Sequence, residues 1–137
     1  MDIKNAIKEG IKYSKYEKIE NGIYDFKVVK VEFGETLKSK RKCINYYGEI
    51  QNKSGDWQES KLVDAVDNDD NIKFGISRLI RFIKFFKIAT DNEIDNATTM
   101  EQLIDIANRT VGKSIKIEFI KKIVSGHVIK EKVFIYE

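Results

Sequence analysis

The chain has 137 residues, 42% hydrophobic and 11% aromatic, enough apolar surface for one domain with one core and too much for a disordered chain. A single cysteine, Cys43, excludes an intramolecular disulfide and a cysteine-rich zinc site, and a single histidine, His127, excludes a histidine cluster. The net charge of +3 is too small to name a partner, so the distribution of charge has to carry that information.

No apolar run is long enough to cross a bilayer. The longest, over residues 79–88, is broken by Arg81, Lys84 and Lys87, and the N-terminus lacks the apolar segment of a signal peptide. A soluble, cytoplasmic protein with no membrane contact is expected.

In chain order, residues 1–21 read as a helix. Ile3, Ile7 and Ile11 recur every fourth residue beside Ala6, and Asn21-Gly22 stops the run. This narrow apolar face predicts a brace packed on the rest of the domain. Residues 23–33 form the most informative strand. Tyr24, Phe26 and Val28 alternate with polar residues, then Val29, Val31 and Phe33 alternate in the opposite phase. Such a flip calls for a bulge or coil in mid-strand, which suits a strand that pairs on both sides and turns the corner of a small barrel.

Residues 41–50 read as a second strand with Ile44, Tyr46, Gly48 and Ile50 on one face and Cys43, Asn45 and Tyr47 on the other. Residues 52–56 are a turn by composition, and residues 57–66 form a third strand whose weak alternation leaves its register open. A helix follows at about 76–89, apolar at Leu79, Ile80, Phe82, Ile83 and Phe86. After a polar connector over 91–97, Thr98-x-x-Glu101 reads as a capping box opening a second helix at about 99–109. Two closing strands are predicted. The first alternates at Ile115, Ile117 and Phe119. After a turn at Ser125-Gly126, the second places Ile129, Val133 and Ile135 on one face and Lys130, Lys132 and Phe134 on the other.

Three strands, a helical insert and two strands is the order of an OB-fold, a five-stranded, partly open Greek-key β-barrel. The expected architecture is a single domain over 1–137, an N-terminal helix over 1–21 and an OB-fold-like barrel over 22–137. In that fold the ligand-binding loops join strands one to two and four to five. Two basic runs fall there: Lys38, Lys40, Arg41 and Lys42, then Lys121, Lys122, His127, Lys130 and Lys132. The acids collect elsewhere, at Asp64, Asp67, Asp69 and Asp70.

Three segments carry a family resemblance. Residues 21–28 (Asn-Gly-Ile-Tyr-Asp-Phe-Lys-Val) look like an opening Gly-x-Tyr strand, and Arg78-Leu79-Ile80-Arg81-Phe82 with Phe85-Phe86-Lys87-Ile88 like a central helix. Val111-Gly112-Lys113-Ser114-Ile115-Lys116-Ile117 looks like a Gly-Lys lead into the fourth strand. Over roughly residues 20–136 the chain resembles a phage-associated family, long classed as a domain of unknown function and regarded as OB-fold single-stranded-DNA-binding proteins of phage replication and recombination. The resemblance implies single-stranded DNA as the partner; replication or recombination proteins and a second copy of the chain, as a homodimer, are candidate further partners, and the sequence leaves the oligomeric state open. It departs in one respect: the sequence ends in a strand pattern at Phe134-Ile135-Tyr136-Glu137, so recruitment through a disordered acidic tail is not implied.

Single strands are held by cationic side chains for phosphates and aromatic faces for bases, and RNA offers the same chemistry. Tyr47, Phe134 and Trp57, with Tyr136 behind, are the candidate stacking residues, and the two basic runs the candidate phosphate contacts. No cofactor or metal is expected. Glu59-x-Lys61 with Glu49 or Asp64 mimics the acidic-x-lysine strand of metal-dependent nucleases, but that short spacing arises by chance in a chain with 34% charged residues. Residues 67–71 resemble a calcium loop, yet Ile72 stands where glycine is needed, so a turn and helix cap is expected. The expected function is binding rather than catalysis. The alternative is a small interaction or inhibitor protein whose basic loops face an acidic protein surface.

Overall fold

The computed structural model describes residues 2–35 and 40–137. Helix α1 spans Ile3–Ser14 and is followed by strands β1 (Gly22–Glu35), β2 (Lys42–Gln51) and β3 (Trp57–Ala65). Helices α2 (Asp69–Phe86), α3 (Asp91–Asp95) and α4 (Met100–Ala107) form the insert, and strands β4 (Ser114–Val124) and β5 (His127–Ile135) close the chain.

The polar residues after β3 start α2 earlier than its apolar run suggests. The Asn68 side chain accepts from the backbone N–H groups of Asp70 and Asn71, while the Asn71 side chain accepts from Asn68 N–H, so the helix begins at Asp69 rather than near 76. It stops at Lys87, whose φ of 53° is left-handed. At α4 the box is built one residue later than expected, between Thr99 and Gln102. The connector expected over 91–97 contains the single-turn helix α3, capped reciprocally by Thr90 and Glu93.

The strands form one antiparallel sheet in the order β3-β2-β1-β4-β5. Strands β3, β1 and β5 therefore run in the same direction. The sheet is not closed, and with its helices it is compatible with a barrel-like fold. Strand β1 is central. Its first half, residues 22–27, pairs with β4 and residues 26–35 with β2, and the register to β2 slips between Val28 and Lys30. The expected bulge is there, with Val29 exposed at its apex and Val31 back in the core. Opposite Val28 stands Gly48, where a Cβ would lie 2.5 Å from the Lys27 carbonyl oxygen, so only glycine fits. Past the bulge β1 leaves β4, and the Asn108 side chain takes over. It accepts from Val31 N–H at 2.9 Å and donates to the Val31 carbonyl at 2.8 Å, replacing a strand neighbour.

The core lies between one face of the sheet and helices α2 and α4. Phe26, Ile44, Tyr46, Leu79, Phe82, Ile83 and Ile117 are essentially inaccessible. On β4 Ile115 and Ile117 are buried as expected from alternation; on β2 the expected face of Ile44, Tyr46, Gly48 and Ile50 is buried, but Cys43 and Asn45 of the opposite face are buried too. On β5 the expected phase is inverted. Phe134 lies opposite Ile117, is buried, and packs edge-on against Phe26 and Tyr46 and beside Phe82, while Ile129 and Val133 are exposed. The expected brace also differs, for no residue of α1 is buried. Among the described residues no helix is long and apolar enough to cross a membrane.

Candidate nucleic-acid interface

On β2, Tyr47 points away from the core face occupied by Tyr46. The register sets Lys30 of β1 on one side of it and Lys61 of β3 on the other, making one row across three strands. The bulge decides this row, because skipping Val29 brings Lys30 opposite Tyr47. The ammonium groups stand 5.1 Å (Lys30) and 5.7 Å (Lys61) from the ring centroid, within cation–π range. Lys30 also pairs with Glu32 at 2.9 Å.

A second aromatic–lysine unit stands on the β4–β5 hairpin. Lys132 is directly across from Phe119, its ammonium 5.4 Å from the ring centroid. The same ammonium donates to the Lys61 carbonyl oxygen at 2.9 Å, tying the β5 edge to the β3 edge. Burial, and then the nearby Lys61 charge, lower the Lys132 pKa from its ordinary value. Beyond Phe119 the hairpin overhangs the start of β1, which pairs no further than Gly22. One face of this overhang carries Phe119, Lys121, Lys130 and Lys132, and the other carries Lys122 and His127.

These elements surround a cleft of about 1570 Å³. Tyr47 and Phe119 line it together with Lys12, Lys18, Lys30, Lys61, Lys121, Lys130 and Lys132, against Glu20, Glu49, Glu59 and Glu131. Three of those acids are held in ion pairs, Glu59 with Lys12, Glu20 with Lys53 and Glu131 with Lys122. The cleft is therefore cationic, with two aromatic rings under lysine ammonium groups.

The residues expected from sequence divide accordingly. Tyr47, Lys121, Lys130 and Lys132 meet around the cleft, whereas Lys122 and His127 stand on the opposite face of the hairpin. Lys38 lies outside the described residues. Lys40 and Lys42 are exposed but do not line the cleft. Arg41 is engaged by both carboxylate oxygens of Asp67, at 2.7 and 3.3 Å. Trp57 is exposed at the start of β3 under the Lys27 ammonium, 5.4 Å from the ring centroid. Phe134 is a core residue and offers no face to a base. Tyr136 is partly buried, with Arg81 over its ring and Phe85 at its edge.

Lys30, Lys61 and Phe119 were not among the expected site residues. Alternation alone shows that Tyr47 leaves the core face, but its neighbours depend on the register, which includes the bulge. Of the nuclease-like residues, Glu49, Glu59 and Lys61 share one face and all line the cleft, and Asp64 stands apart. Glu49 and Glu59 face one another across β2 and β3, whereas Asp64 lies opposite core-facing Ile44 and pairs with Arg78 at 2.9 Å. Residues 67–71 form the turn and cap of α2, and Cys43 is buried. No protein-family model matches the chain, and a search of curated proteins finds no relative.

Proposed function

We propose that the protein binds single-stranded DNA, without sequence preference, across the Tyr47 row and the adjoining cleft of an OB-like barrel. The observation that carries this reading is Tyr47 held between Lys30 and Lys61 on neighbouring strands. A cation over an exposed ring contributes about 0.5–1 kcal/mol, whereas a base stacked on it contributes about 1–3 kcal/mol. A base arriving on Tyr47 displaces the ammonium groups, and these then meet the phosphates flanking that base. Across the cleft the Lys132 ammonium stands over Phe119, which is partly buried against the core and edge-on to Tyr24.

Five antiparallel strands with helices between β3 and β4, and a β4–β5 hairpin that forms one wall of the cleft, support the OB-like reading. The resemblance to phage-associated proteins supports a role in replication or recombination. This reading assigns the cleft to binding rather than to catalysis.

The test is fluorescence anisotropy with a labelled oligothymidine at two salt concentrations, beside a duplex and an oligouridine of equal length. Expected are tight binding at low salt, a steep loss as salt rises, and much weaker binding to duplex, whose bases are already stacked. Equal affinity for duplex would remove the stacking role of Tyr47. Preference for oligouridine would move the assignment to RNA, and no binding at low salt would favour the protein-interaction alternative.

A further inference from the structure

Helix α1 exposes Ile3, Ile7 and Ile11 at 77%, 56% and 56%, although these three side chains form an unbroken row. The helix meets the body of the protein on its other side, where the Lys12 ammonium pairs with Glu59 at 2.9 Å. The segment after it is anchored as well. The Gln58 side chain bonds both the N–H and the carbonyl of Glu17 at 3.0 Å, and Asn52 donates to the Lys15 carbonyl at 3.0 Å. With 3.6 residues per turn, Lys12 is roughly opposite Ile3 and Gly10, so these attachments hold the isoleucine row away from the body.

A second row, Ala6, Gly10 and Ser14, runs beside the isoleucines at the same four-residue spacing. Together the two rows make a ridge and a groove on one helix face. Gly10 weakens the helix relative to alanine, yet a Cβ there would meet nothing within 4 Å. Packing within the chain therefore gives no reason for a glycine at this position, whereas close approach of another backbone does.

We propose that α1 is a dimerisation element in which the isoleucine ridge of one copy packs into the Ala6–Gly10–Ser14 groove of a second copy, about a two-fold axis parallel to the helices. Ridges and grooves at four-residue spacing interdigitate in this way, and small residues let the backbones approach. A parallel two-fold axis places the ridge of each copy against the groove of the other. It also sets the flank carrying Lys4 and Lys8 toward the second copy's acidic flank, Asp2 and Glu9, whereas an antiparallel pair would oppose the two lysine rows. The attachment at Lys12 keeps both bodies on the outside of the pair. A twelve-residue helix is about 18 Å long, so the contact falls below the roughly 1,200 Å² of a standard interface and the dimer is weak and concentration-dependent.

Sedimentation velocity on the full chain, without nucleic acid, tests this independently of the DNA-binding reading. From about 1 µM to about 1 mM the weight-average mass should climb from 15.9 kDa toward twice that value. Gly10→Leu fills the groove while favouring the helix, so it should remain a monomer over the same range, with circular dichroism confirming that α1 is retained. A wild-type monomer throughout, or a Gly10→Leu chain that dimerises equally, would overturn the proposal. Binding of monomeric wild type to phosphatidylserine vesicles would also overturn it and assign the face to lipid.

Discussion

The Lys132 ammonium reaches across the opening of the sheet to the Lys61 carbonyl oxygen, 2.9 Å away. A side chain thus links the two edge strands, next to the ring row centred on Tyr47.

Lys132 gives the link a pH signature. Its folded pKa lies below the ordinary value of 10.5, so between those two values the unfolded chain binds more protons and stability rises with pH. Lys132→Met lacks this contribution. Urea unfolding of both proteins at neutral pH and near the ordinary lysine value should show the wild type gaining relative to the variant as pH rises. A relative loss would mean that the charged lysine is favoured in the folded state.

Tyr47→Ala should weaken single-strand binding by about 1–3 kcal/mol with little change in salt slope, because stacking releases no counterions. Lys30→Ala and Lys61→Ala should instead make the slope shallower, by about 0.7 for each phosphate that is no longer neutralised. Anisotropy titrations on one oligonucleotide separate the two effects. If all three variants bind as the wild type does, the row is only surface.

Arg41 should contribute to acid stability more than to binding. Hydrogen bonds from Arg41 and then Asn71 hold the Asp67 carboxyl well below its ordinary 3.8. The resulting stabilisation is fully present above that ordinary value and declines as pH falls toward the lowered one. Arg41→Ala should therefore be less stable than wild type at neutral pH, with the gap narrowing below pH 3.8. Thermal melts across this range check it, and a gap that widens in acid would contradict it.

Tyr46→Phe tests a polar pair in the core. Among the described residues the buried Tyr46 hydroxyl and Asp64 Oδ2 have no hydrogen-bond partner, and burial together with Asp64 pushes the phenol pKa up. Removing an unsatisfied hydroxyl should leave stability unchanged or raise it by up to about 1 kcal/mol. A loss of more than about 1 kcal/mol in chemical denaturation would show that the hydroxyl donates a bond in solution.

Local pattern alone determined much of this protein. Alternation at the start of β4 reports which side is buried, because a core lies behind it, and the phase flip in β1 reports its bulge for the same reason, whereas on β2 Cys43 and Asn45 are buried on the other face as well. Tertiary structure decided what depends on neighbours. The β4–β5 hairpin extends past the start of β1, so most of its residues are exposed on both faces, and alternation there has no core to report. The isoleucines suggested one face for β5, but Phe134 reaches the core from the other because it stands opposite Ile117. The amphipathic pattern of α1 marks a face that needs a partner without saying whether this chain supplies it. Likewise, a run of basic residues does not show that Asp67 holds Arg41, or that Lys30 and Lys61 flank Tyr47. Those pairings join residues far apart in the chain, and only the register of the folded sheet brings them together.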